Sequence, residues 1–151
     1  GGLVYAETQY DDFEAVDFFA PPRLPGSTIS FAPRWSGTLA ATYETSFISD
    51  WDARFNVSSR FTSKYNTGSN LDPLKEVEEL VVVNARMSFY SDNSPFELEL
   101  WAQNLFDEDY YELAFDTPLQ GTAATQTAPG TAVGAFLSPP LTFGATARVR
   151  F

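Results

Sequence analysis

Four neighbouring carboxylates, Asp107, Glu108, Asp109 and Glu112, are the residues of this sequence best suited to chemistry. Clustered side-chain oxygens can bind Ca²⁺, and a pair of carboxylates can hydrolyse a glycosidic bond. Their spacing does not match an EF-hand loop, and adjacent strand residues point to opposite faces, so few of the four could reach one ion. A single segment also gives no measure of the separation that a glycosidase pair requires. The pattern therefore favours a structural role, in a bend or at the outer rim of a strand.

The sequence contains neither His nor Cys, which removes the usual zinc ligands and the common nucleophile–base pairs. We therefore predict that the protein is not an enzyme and that it uses no cofactor and no metal. The formal net charge is −11, and the nine Lys and Arg are scattered along the chain. Because a nucleic-acid partner would require a basic face, we also predict no nucleic acid.

Apolar and polar side chains alternate along several segments, as they do in strands with one apolar face. The most regular segments are residues 51–65 and 141–151, and both are much longer than the mean strand of about 5–6 residues in soluble proteins. The predicted strands cover residues 3–10, 34–44, 51–65, 77–90, 96–115 and 141–151. The segments between them are rich in turn formers, and residues 116–139, dominated by Thr, Ala, Gly and Pro, predict a long loop.

The predicted connections alternate between long and short, and the strands carry charges opposite their apolar side. Transmembrane β-barrels show both features, because long external loops alternate with short periplasmic turns around a polar lumen. We therefore predict an all-β fold, an antiparallel transmembrane β-barrel. The residues expected to face its lumen are Arg54, Arg60, Arg86, Glu97, Glu99 and Trp101. A soluble antiparallel sandwich is the alternative, although such sheets seldom use strands this long.

Several motifs also resemble a known family. They are LPG at residues 24–26, APRWS at 32–36, WAQNLFDEDY at 101–110 and GATARVRF at 144–151. Together they resemble the C-terminal end of the barrel of TonB-dependent outer-membrane receptors of Gram-negative bacteria. The resemblance spans residues 1–151 and implies a barrel of about 22 strands, of which this chain would supply about six. Because the sequence begins without Met, we expect it to be a piece of a longer receptor that also has a plug domain and upstream strands.

The resemblance implies a receptor in the bacterial outer membrane that imports a scarce nutrient, namely an iron-siderophore, a cobalamin-like complex or an oligosaccharide. Energy would come from the TonB complex, acting through the plug. The other implied partners are outer-membrane lipid and the barrel-assembly machinery. A small autonomous outer-membrane barrel or adhesin, and a soluble carbohydrate-binding β-sandwich, remain as alternative functions.

Two sets of residues follow as candidate sites. Ligand contacts are expected in and beside the external loops, which vary over a fixed scaffold. The candidates there are Phe18, Phe19, Arg23, Tyr65, Asn70, Tyr111 and Phe115. The last strand ends on an aromatic residue and resembles the signal that the assembly machinery reads by adding a strand along its edge. The residues assigned to that signal are Gly144, Val149 and Phe151.

Overall fold

The structure of the protein is a computed structural model, and it describes residues 1–11, 26–68, 72–117 and 133–150. Five residues with a predicted role lie outside these ranges: Phe18, Phe19, Arg23, Asn70 and Phe151.

Regular structure in the described ranges consists of β-strands and one short 3-10 helix, Pro73–Lys75. The strands are β1 Gly2–Tyr5, β2 Trp35–Ile48, β3 Trp51–Thr62, β4 Tyr65–Asn66, β5 Glu76–Val77, β6 Leu80–Tyr90, β7 Phe96–Gln103, β8 Tyr111–Asp116, β9 Val133–Leu137 and β10 Thr142–Val149. Every strand pair is antiparallel, so the predicted all-β antiparallel class is confirmed. Within the part of the chain described, no helix has the length and apolar composition needed to cross a membrane.

Six strands form one sheet in the order β1-β2-β3-β6-β7-β10. The remaining four form two ribbons, β4 with β5 and β8 with β9. Each ribbon lies in the connection between two neighbouring sheet strands, so the sheet is an up-and-down meander. Strands β1 and β10 each have one neighbour in the described chain, which leaves the sheet open.

The two ends of the sheet differ in the length of their connections. At the short-turn end, β2 joins β3 through residues 49–50, and β6 joins β7 through residues 91–95. At the opposite, long-loop end, the connections cover residues 6–34, 63–79 and 104–141. The alternation of long and short connections that the sequence predicts is therefore present.

Several predicted strand boundaries are wrong. Strand β7 stops at Gln103 instead of continuing to residue 115, because Asn104 has a φ of 50° and leaves the extended conformation. The predicted loop 116–139 contains β9, which pairs with β8 and brings the rings of Phe115 and Phe136 to 5.7 Å. The strands predicted at 3–10, 51–65 and 77–90 are shorter in the structure, and the last two give up residues to the β4–β5 ribbon.

One face of the sheet is apolar. The register aligns Tyr43, Phe55, Met87 and Leu100 in one row across β2, β3, β6 and β7. We call this side the apolar face, and its members include Leu39, Ala41, Tyr43, Phe55, Val57, Met87, Leu100 and Phe143. Many of these side chains are open to the surroundings, with Leu39 67 % and Phe143 77 % exposed. Apolar surfaces of this extent are uncommon on soluble monomeric proteins, where apolar patches are usually smaller.

Little of the described chain is buried. The buried hydrophobic residues are Ala53, Val77, Leu80 and Ala114, and no large side chain of the described ranges is fully buried. A sandwich, by contrast, buries the inner faces of two sheets against each other. The described residues therefore provide no second layer over either face of the six-stranded sheet.

Candidate functional site

The side of the sheet opposite the apolar face carries the strand charges, and we call it the polar face. Alternate residues of a strand share a face, and paired residues of neighbouring strands lie on the same side. The register accordingly places all six predicted lumen residues together on the polar face: Arg54, Arg60, Arg86, Glu97, Glu99 and Trp101.

Arg54 is held between two strands near the short-turn end. It lies directly opposite Glu44 of β2 and forms a salt bridge with it. Its guanidinium also donates to the hydroxyl of Tyr90 on β6 at 3.3 Å and lies 4.9 Å from the centre of that ring. One side chain therefore links three adjacent strands of the sheet.

A second charge network joins β7 to the last strand. Arg148 donates to Glu97 at 3.0 Å and to Glu99 at 3.4 Å, and Arg150 donates to the other oxygen of Glu97 at 3.3 Å. The carboxylate side chains are only 18 % and 14 % exposed, whereas the Arg148 side chain is 49 % exposed. The two arginines and the two glutamates of this network therefore neutralise one another across the β7–β10 pair.

Asn104, which follows β7, organises the turn that leads away from the sheet. It is 5 % exposed. Its side-chain NH₂ donates to the carbonyls of Glu108 and Pro139, both at 3.0 Å, and its side-chain oxygen accepts from the Glu108 amide at 2.9 Å. Its backbone N–H donates to Asn84 on β6 at 3.0 Å. Asn tolerates a positive φ better than most residues, which is the sequence signal that would have placed a bend here.

Two members of the predicted carboxylate cluster take part in this bend, Asp107 through its side chain and Glu108 through its backbone. Asp107, at a φ of 55°, accepts from the backbone N–H of Leu141 at 2.7 Å, just before β10 begins. Ser138 donates to the Glu108 carbonyl at 3.2 Å and accepts from the Tyr110 amide at 3.2 Å. The bend of residues 104–110 therefore ties the end of β7 to the start of β10. No three carboxylates of the described chain are placed to hold a metal ion.

Arg60 connects the polar face to this bend. Its guanidinium donates to the Tyr110 hydroxyl at 3.0 Å. Nearby, Tyr65 lies in β4, beyond the long sheet strands, and burial raises the pKa of its hydroxyl above the ordinary value. Tyr65 is therefore a neutral hydrogen-bond donor at the long-loop end.

The three described ligand candidates share the long-loop end but not one pocket. The ring of Tyr65 lies 6.3 Å from Phe31, and that of Phe115 lies 5.7 Å from Phe136. Tyr111 instead lines a cleft of 540 Å³, whose carboxylates are Glu76, Glu78, Glu79, Glu108 and Asp109. The two ribbons are braced by Thr67, a residue that the sequence did not single out, which accepts from the Ala114 amide at 3.1 Å.

Trp101, a predicted lumen residue, and Gly144, assigned to the predicted assembly signal, are paired across β7 and β10. A Cβ on Gly144 would lie 2.6 Å from the Trp101 ring, so the indole occupies the space that the glycine leaves. The indole N–H donates to the Thr146 hydroxyl at 3.3 Å. An aromatic ring over a strand glycine of this kind fixes the register of the pair. Val149 pairs with Phe96 at the short-turn end of the same two strands.

Replacing Gly144 with Val is expected to lower the free energy of unfolding by about 1–3 kcal/mol, because the added methyl groups displace the indole. Urea unfolding of the purified full-length protein, followed by Trp fluorescence, measures the change. Gly2→Val is the matched control, since a Cβ on Gly2 has no heavy atom within 4 Å. Equal effects of the two substitutions would show that Gly144 has no special role.

No protein family, no curated protein and no solved structure matches this chain in the comparisons made.

Proposed function

We propose that this chain forms part of the wall of an outer-membrane β-barrel, and that the barrel is a TonB-dependent receptor. The observation that carries the proposal is the six-stranded meander with one exposed apolar face and one charge-paired polar face. Hydrocarbon would cover the apolar face, and the polar face would border the lumen, as in transmembrane barrels generally.

Strand length supports a membrane-spanning role. A transmembrane strand needs about 9–11 residues at a tilt of about 45°. Strands β2, β3 and β6 have 14, 12 and 11 residues, and β7 and β10 have eight each. The three longer strands therefore suffice to cross a hydrocarbon layer, and β7 and β10 are close to the required length. The edge strand β1 has four residues.

The open edges of the sheet support a larger assembly. In hydrocarbon, each unpaired backbone N–H or C=O costs several kcal/mol, so membrane sheets close into barrels. The free sides of β1 and β10 would therefore pair with further strands. The resemblance of residues 101–110 and 144–151 to the end of a TonB-dependent receptor is the reason for proposing that this larger barrel has about 22 strands. A small autonomous barrel would leave this open sheet without partners.

A soluble carbohydrate-binding sandwich has less support. Such a fold would cover the apolar face with a second sheet. In the described residues the two further strand pairs are two-stranded ribbons within the long-loop connections, and Tyr43 and Phe143 remain 65 % and 77 % exposed. The apolar face would then be in water, at a cost of about 25 cal/mol for each Å² of apolar surface.

In the proposed receptor the protein binds and admits a nutrient and makes no covalent bond. The ligand would be an iron-siderophore, a cobalamin-like complex or an oligosaccharide, contacted at the long-loop end. Tyr65, Tyr111 and Phe115 would contribute to binding there together with the predicted residues outside the described ranges. The charge networks of the polar face would stabilise the wall rather than bind the ligand.

Uptake measurements test the proposal. The full-length protein that contains this chain is expressed in the outer membrane of a Gram-negative host without its own nutrient receptors. Uptake of radiolabelled iron-siderophores, cobalamin and oligosaccharides is then compared with and without TonB. The proposal predicts uptake of one class that is lost when TonB is deleted. Uptake that continues unchanged without TonB would contradict it.

A further inference from the structure

Arg86 is the exception to the pairing of guanidinium groups in the described chain. Each of the other five described arginines donates to a side-chain oxygen: Arg34, Arg54, Arg60, Arg148 and Arg150. Arg86 is exposed on the polar face, and it has no hydrogen-bond or ion-pair partner among the described residues. In the described part of the sheet, Arg86 is therefore the guanidinium of the polar face whose hydrogen-bond donors are all unused.

Arg86 lines a recess of 250 Å³ with four neutral polar side chains: Asn56, Ser58, Asn84 and Gln103. This volume is below the range of about 300–1,000 Å³ that is typical of sites for a whole drug-sized molecule. The recess therefore has room for one functional group of a ligand, with the remainder of the ligand outside it.

The neighbours of Arg86 have hydrogen-bond donors to spare. The side-chain oxygen of Asn84 already accepts from the Asn104 amide at 3.0 Å, which leaves its NH₂ group to donate. The Ser58 hydroxyl and the side-chain amide of Gln103 have no hydrogen-bond partner in the described chain. The side-chain amide of Asn56, by contrast, already donates to the Thr42 hydroxyl at 2.8 Å. A guanidinium with three neutral donors beside it offers the hydrogen bonds that an anion accepts.

We propose that this recess binds a carboxylate group of a small-molecule ligand. The planar guanidinium fork of Arg86 would bind both carboxylate oxygens, and Ser58, Asn84 and Gln103 would donate to their remaining lone pairs. One negative charge matches the one positive charge of the recess, whereas a phosphate dianion would leave a charge uncompensated. The inference rests on the proposed function and deepens it, because it names a chemical feature of the transported nutrient.

Chemical modification of Arg86 tests the site without transport. The purified full-length protein in detergent is treated with phenylglyoxal, and mass spectrometry measures the modification rate of each arginine. Sodium acetate is compared with sodium chloride at equal ionic strength. Acetate is expected to slow the modification of Arg86 by a factor of 1 + [acetate]/Kd, about threefold at twice the Kd. Arg34, already paired with Glu7, serves as the internal control and should not change.

Other ligands and a variant, tested in the same modification experiment, determine which chemical group the recess binds. Acetamide should give no protection, and the S58A/Q103A variant, which keeps Arg86, should lose the protection by acetate. Equal rates in acetate and chloride, or stronger protection by inorganic phosphate, would overturn the proposal. An Arg86 that reacts only after denaturation would also overturn it, because another part of the protein would then cover the recess. TonB-independent uptake with intact acetate protection would contradict the receptor function but not the carboxylate site.

Discussion

Replacement of Asn104 by Ala is expected to lower the free energy of unfolding by about 3 kcal/mol. The substitution removes three buried side-chain hydrogen bonds, to the Glu108 carbonyl, the Pro139 carbonyl and the Glu108 amide, and each contributes about 1 kcal/mol. Pro139 lies just before β10, so the start of the last strand would also lose an anchor. Urea unfolding of the full-length protein in lipid vesicles measures the loss.

Two variants separate the possible causes. Asn104→Gly keeps a residue that adopts a positive φ without strain but removes the same hydrogen bonds, so it should be nearly as unstable as Asn104→Ala. Asn93→Ala is the matched control, because Asn93 is an exposed residue of the turn 91–95, and it should change stability by less than about 0.5 kcal/mol. Full stability of the Gly variant would show that the backbone conformation, and not the hydrogen bonds, is the contribution of Asn104.

In the proposed barrel, replacement of Ala41 by Arg is expected to destabilise the protein by about 2–4 kcal/mol, because the proposal makes this residue lipid-facing near the bilayer midplane. Ala41 lies in the row of Val57, Ala85, Ala102 and Phe143 on the apolar face. The charge would have to be held in hydrocarbon or reach the interface. Folding into lipid vesicles across a urea series provides the measurement.

Ala40→Arg is a close control for this experiment. Ala40 is the adjacent residue of β2, is likewise exposed, and pairs with Ser58 on the polar face. Its substitution should change the free energy of folding by less than about 1 kcal/mol, because the new charge would meet water in the lumen. Similar small effects at both positions would mean that the apolar face does not meet lipid.

The alternation of apolar and polar residues predicts most of the sheet, because successive side chains of a strand point to opposite faces and the apolar face can be assigned directly. The long runs of β2, β3 and β6 and the two short turns follow from that pattern and from clusters of turn residues. Strand β9 does not, because its sequence VGAFL has no alternation and its partner β8 lies 17 residues upstream. A ribbon of this kind depends on a tertiary contact, here between Phe115 and Phe136.

For the candidate sites too, the sequence predicts features within one strand but not the contacts between strands. The face on which Arg86 or Glu97 lies follows from residue parity within one strand. The partner of each charge does not, because Arg148 and Glu97 are 51 residues apart and meet only through the β7–β10 register. The meeting of Trp101 with Gly144 likewise depends on this register. Loop position alone groups Tyr65, Tyr111 and Phe115 as ligand candidates, and the structure places them in separate contacts.

Spin-label accessibility along β3 tests most directly whether the apolar face meets hydrocarbon. The chain contains no Cys, so single Cys residues can be introduced in turn at residues 55–60 of the full-length protein in lipid vesicles. Collision rates of the nitroxide are measured with oxygen, which concentrates in lipid, and with a water-soluble nickel complex.

A lipid-facing apolar surface predicts high oxygen collision rates at positions 55, 57 and 59 and low rates at 56, 58 and 60. The nickel complex should show the reverse order wherever the lumen is open to water. High nickel collision rates at 55, 57 and 59, or low rates with both reagents there, would contradict a membrane-spanning sheet.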